Sequence, residues 1–137
     1  MTRAVARLVW ASTLVVPLFF AAVAETVRWG KAHLAESGPL FWLTVATSVA
    51  CIALSRVLPI RIRPLPAGPA ATAFVRLVTG WALCEAAALF PLVVWILTND
   101  PHLLVVCAVD LLALLTLYPS QARWADLLPG GSAVEPR

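Results

Sequence analysis

Two carboxylates stand inside long apolar runs of this chain: Glu85, within Trp81 to Val94, and Asp110, within Leu103 to Leu117. A charged carboxylate in hydrocarbon costs at least about 2.5 kcal/mol, so such residues face protein, water or each other. If Thr98 and Pro101 share one boundary, a rise of about 1.5 Å per residue puts Asp110 and Glu85 about 6 Å apart in depth, roughly one helical turn. Two carboxyls that close in low dielectric do not both ionise without a cation or a base. No Lys, Arg or His lies centrally in the apolar runs; Arg76, the nearest base before Glu85, is about 13 Å away along a helix axis and reaches toward the interface. Glu85 and Asp110 are therefore expected to share a proton or to trap a small cation. The competing expectation is two neutral acids hydrogen-bonded between helices as structural glue.

Upstream, Thr44, Ser48, Cys51 and Ser55 recur at spacings of four, three and four, which places them on one helical face. Ser48 and Cys51 fall near the depths expected for the two carboxylates and complete a candidate proton or cation shell, although hydroxyls on one face more commonly serve packing and mark the buried side. Cys51, Cys84 and Cys107 lack a CxxC pair and any metal-site spacing; thiol or soft-metal handling by these three is a third reading, and no resident metal or cofactor is expected. Pro91 frees the carbonyl of Ala87 just beyond Glu85, and Pro17 and Pro91 should bend their helices. Glu25 and Arg28 suit an interfacial ion pair, while His33 and His102 are expected to be solvated.

The elements that must position these residues follow from composition. Of 137 residues 61% are hydrophobic and 12% charged, with a mean hydropathy of +0.90, well outside the soluble-domain range. Each membrane span takes about 20 residues, so four spans and short connections consume the chain. Proline and charge positions divide it into apolar spans over 8–27, 40–58, 73–98 and 101–118. The Pro-rich linker 61–69 lies between the second and third spans, and Thr98-Asn99-Asp100-Pro101 forms a tight turn in which Asp100 is suited to cap the fourth helix. An amphipathic stretch over 120–128, with Trp124, Leu127 and Leu128 on one face, suits a helix lying in the membrane surface. Residues 129–137 read as a disordered tail. The expected fold is thus all-α, a four-helix transmembrane bundle of two antiparallel hairpins.

Arginine asymmetry orients the bundle. Arg3, Arg7, Arg56, Arg61, Arg63, Arg76, Arg123 and Arg137 belong to the amino terminus, the second loop and the tail, against Arg28 and Lys31 on the opposite side. Both termini are therefore expected in the cytoplasm, in a bacterial-type plasma membrane. Trp10, Tyr118 and Trp124 then fall near the inner interface, and Trp29, Trp42 and Trp95 near the outer one. Arg3, Arg7 and the Ala22-Val23-Ala24 run also describe a secretory leader with its cleavage site, so residues 1–24 carry that second reading.

The run Gly80-Trp81-Ala82-Leu83-Cys84-Glu85-Ala86-Ala87-Ala88-Leu89-Phe90-Pro91-Leu92-Val93-Val94 resembles the carboxylate-bearing helix of the rotor-ring proteolipid, subunit c, of ATP synthases. That helix reads as a small residue, Ala-Leu, a variable residue, Glu-Ala, an aliphatic or aromatic pair, Gly and Leu-Val-Val, and Arg61, Arg63 and Pro64 resemble the family's polar turn. The resemblance implies that Glu85 is an ion-carrying carboxylate. It covers about two dozen residues; Pro91 stands in place of the family's Gly, the second span lacks its Gly-rich pattern, and the first and fourth spans are additional.

No nucleophile elbow, phosphate-binding glycine loop, HExxH or Cys/His ligand set occurs. The net charge of +3 is accounted for by orientation in a bilayer and does not point to nucleic acid. The expected function is accordingly that of a small non-enzymatic membrane protein acting through helix packing with itself or with a partner membrane complex. The alternative is binding or translocation of a proton or small cation by Glu85 and Asp110 with Ser48 and Cys51.

Overall fold

The computed structural model describes residues 2–28 and 37–128. Over these residues the chain forms five helices and no strand: α1 (Arg3–Arg28), α2 (Ser37–Arg61), α3 (Pro69–Thr98), α4 (His102–Leu115) and α5 (Gln121–Leu127). The first three are long and apolar enough to cross a membrane. With 14 residues, α4 is about 21 Å long, short of the roughly 30 Å hydrocarbon thickness, and single turns extend it to Tyr118. The expected tail 129–137, and Trp29, Lys31, His33 and the Arg28 side chain, lie outside the described residues.

Local chemistry fixes the helix ends. Gly68 takes φ +100° ahead of Pro69, a conformation that glycine adopts without steric cost, and proline suits the first helical turn. Asn99 closes α3 in the left-handed region, its N–H donating to the Trp95 carbonyl. The Asp100 carboxylate accepts from the His102 N–H at 3.0 Å, the capping role expected of it. Ser120 Oγ accepts from the Arg123 N–H at 3.2 Å and caps α5. Trp124 and Leu127 of α5 pack on the hydrophobic core.

Burial identifies α3 as the central helix. Half of its apolar window is buried, against 11% for α1 and 22% for α2. Large apolar side chains such as Leu8, Phe19 and Trp42 point outward, whereas Thr44, Ser48, Ser55, Thr72, Thr98 and Asp110 are buried, the distribution expected of helices whose solvent is lipid. The Thr44/Ser48/Ser55 face of α2 is the buried one, with Cys51 half-buried on it. One core cluster surrounds Leu92, Trp95, Leu103 and Cys107; the other surrounds Leu77, Trp81, Cys84, Leu114 and Leu117. Gly80 lets α2 approach, since a methyl there would sit 3.2 Å from the Ser55 carbonyl oxygen and 3.6 Å from Pro59.

The second cluster is closed by polar contacts onto the last turn of α4. Trp81 Nε1 donates to the Leu117 carbonyl at 3.0 Å and Trp10 Nε1 to that of Leu114 at 3.3 Å. Trp10 also meets Tyr118 edge-on at 5.0 Å, and the Arg7 guanidinium lies 5.7 Å from the Tyr118 ring centre. Replacing Trp81 by Phe keeps most of the buried ring but strands the Leu117 carbonyl, which should destabilise the detergent-solubilised protein by about 1–3 kcal/mol. A denaturation midpoint equal to that of the wild type would show that the carbonyl finds another donor.

Candidate functional site

Asp110 is fully buried between α2 and α4. Its Oδ2 accepts a hydrogen bond from Ser48 Oγ at 2.9 Å, and its Oδ1, also buried, has no partner among the described residues. Of the hydroxyls on the buried face of α2, Thr44 and Ser55 donate to carbonyls of their own helix. Ser48 alone of these three donates to a carboxylate of a neighbouring helix, while the Ser55 hydroxyl also meets the Cys84 thiol of α3. A cavity of about 210 Å³ adjoins the pair, walled by Val45, Val49, Ile52, Val105, Val106 and Val109. Among the described residues Asp110 and Ser48 are its only polar lining, too few oxygen ligands for a hard cation and enough to hold a proton or to clasp two helices.

The thiols gather around this carboxylate. Cys107 lies one helical turn before Asp110 and within its electrostatic reach. From α3, Cys84 comes within reach of Asp110, Cys51 and Arg56 and stands beside the Ser55 hydroxyl. All three thiols are unbridged. No group of three or more His, Cys, Asp or Glu able to hold a metal ion occurs among the described residues.

Glu85 is placed elsewhere. It is half-buried near the middle of α3, and no charged group or hydrogen bond reaches it among the described residues; burial alone acts on it. The electrostatic neighbours of Asp110 are Ser48, Cys84 and Cys107, so the two carboxylates are not a pair. The reason is angular. Successive helical residues turn by about 100°, so the step from buried Cys84 to Glu85 moves the side chain out of the core toward exposed Ala82 and Ala86. Beside it the outer face of α3 is shallow: Ala82 and Ala86 are exposed, and Val75, Val78, Thr79 and Ala82 line one wall of a groove of about 430 Å³ whose other residues include Leu58 of α2. Glu85 stands one turn beyond Ala82 on this side of the helix.

Three arginines, which the sequence marks only as orienting charges, converge where the end of α2, the first half of α3 and α5 meet. Arg56, Arg76 and Arg123 line one cavity of about 230 Å³. Helical periodicity would not bring them together, because each comes from a different helix.

Compared with known proteins, the chain matches no family model, no curated protein and no solved structure. The functional reading therefore rests on this geometry.

The separation of the carboxylates has a measurable consequence. In unfolding titrations, Glu85→Gln and Asp110→Asn should combine additively, within about 0.5 kcal/mol, whereas Ser48→Ala and Asp110→Asn should show a coupling of about 0.5–2 kcal/mol. Non-additivity between Glu85 and Asp110 would mean that the two share a proton after all.

Proposed function

We propose that this chain is a non-enzymatic, four-span membrane protein that acts by packing a helix of another chain, a second copy or a member of a membrane complex, against the outer face of α3. The observation that carries this reading is Glu85: a carboxyl near the middle of a membrane-length helix, half-exposed, and without a partner among the described residues. A polar side chain at that depth is costly against lipid and becomes adhesive against a partner helix. Thr79, Ala82 and Ala86 beside it are small enough to allow close backbone approach. The four-span arrangement with both termini on one side is supported by Arg3, whose guanidinium donates to Gln121 Oε1 at 3.3 Å and so ties the amino-terminal end of α1 to α5. By arginine bias that side is the cytoplasm.

A second reading, proton handling, is supported by the orphaned Oδ1 of buried Asp110. In it Asp110 and Ser48 are the working pair and Glu85 is a separate carboxyl, the one to which the rotor-ring resemblance points.

A photo-crosslinking residue in place of Ala82, activated in native membranes, should yield a polypeptide adduct that Glu85→Leu abolishes. A product of twice the chain mass would identify a second copy. Adducts with lipid alone, or a polypeptide adduct indifferent to Glu85→Leu, would overturn the packing role of Glu85.

A further inference from the structure

The guanidinium-lined cavity does not depend on the packing reading and points to a ligand of its own. Arg56 comes from the end of α2, Arg76 from the first half of α3 and Arg123 from α5, and they meet over a partly enclosed space of about 230 Å³ floored by Trp81, Leu117 and Gly80. Among the described residues the only carboxylate lining it is that of Asp126, which is exposed.

The hydrogen bonds of the three guanidiniums, among the described residues, go to neutral acceptors. Arg76 donates to the Leu127 carbonyl at 2.9 Å and the Ile62 carbonyl at 2.8 Å. Arg123 donates to the Thr116 carbonyl at 3.2 Å, and Arg56 to the Thr116 hydroxyl and, at 3.5 Å, the Ala113 carbonyl. These carbonyls hold the fork of each side chain in place but cancel none of its charge. The Nε atoms of Arg76 and Arg123 are buried and have no partner among the described residues, which an N–H donor in a low-dielectric site does not tolerate without cost. Burial, and next the charge of Arg56, lower the pKa of Arg123 below its ordinary value, as expected where cations are held together with too little counter-charge. Planar guanidiniums that present spare N–H donors from several directions match the tetrahedral oxygens of a phosphoryl group. The apolar floor suits the glycerol and first methylenes of a lipid.

We propose that Arg56, Arg76 and Arg123 form a binding site for a phosphoryl oxyanion, supplied either by an anionic phospholipid headgroup or by inorganic phosphate. The site joins α5 to α2 and α3, so occupancy also tightens that end of the bundle.

The test uses the full chain, purified in a neutral detergent, with two probes: phosphatidic acid against phosphatidylcholine by native mass spectrometry, and inorganic phosphate against chloride of equal ionic strength by thermal melting. Binding of phosphatidic acid without a phosphate response assigns the site to a headgroup; a response to phosphate assigns it to the free anion. Arg123→Gln and Arg56→Gln should each weaken the productive probe about tenfold or more, the loss expected for a charge-assisted hydrogen bond. Arg63→Gln, the same charge change in the 62–68 connection and outside the cavity lining, should leave affinity within about twofold. Arg123 lies on the short peripheral α5 and glutamine keeps an amide donor for the Thr116 carbonyl, so Arg123→Gln should retain the fold, as circular dichroism would register, and decides the matter should Arg56→Gln misfold. No preference of the wild type for either anion, or equal losses in Arg63→Gln and Arg123→Gln, would overturn the proposal.

Discussion

The structure depends on satisfying the carbonyls at the end of α4. A helix of 14 residues stops beside the packed interior; single-turn N–H bonds reach the carbonyls of Leu112, Leu114 and Leu115, and those of Ala113, Thr116 and Leu117 are left to side-chain donors. Where lipid replaces water, each would cost several kcal/mol if left alone. Every other helix of the chain contributes a donor: Trp10 from α1 to Leu114, Arg56 from α2 to Ala113, Trp81 from α3 to Leu117, and Arg123 from α5 to Thr116. This convergence explains why two indoles and two guanidiniums sit at one end of so apolar a chain, and why α5 packs against the bundle through Trp124 and Leu127.

The same accounting separates structural polar groups from those left over. Threonine and serine hydroxyls along α1, α2 and α3 mostly return to carbonyls of their own helices. Ser48 spends its donor on Asp110 and ties α2 to α4. What remains among the described residues is a short inventory: Glu85 on the outer face of α3, Oδ1 of Asp110, and two buried guanidinium nitrogens. In a medium without water these are the positions at which another molecule gains most by binding.

How much of this was legible in the sequence differs from residue to residue. The three long helices follow from apolar runs bounded by charge and proline, and the spacing of Thr44, Ser48 and Ser55 marks the buried face of α2 because a period near 3.6 leaves one solution. The neighbourhood of Ser48 and Asp110 was legible from depth. Depth carries no rotation, however, and a one-residue step from Cys84 to Glu85 turns a side chain from the core to the outer face of α3. The arginine cavity was hidden for a related reason: Arg56, Arg76 and Arg123 are distant in sequence, and each has a sufficient explanation as an orienting charge. Only the packing of α5 against the starts and ends of the other helices brings them to one space.

The central proposal is that the Glu85 carboxyl, which has no partner among the described residues, is satisfied by another polypeptide in the membrane. Native mass spectrometry of the wild-type protein ejected directly from its own membrane vesicles, without detergent, measures this most directly. The account predicts a particle heavier than the 14.7 kDa chain by at least one further polypeptide, whether a second copy or a different protein. A bare chain, or one carrying lipid alone, under conditions that preserve known membrane complexes in the same vesicles, would contradict it.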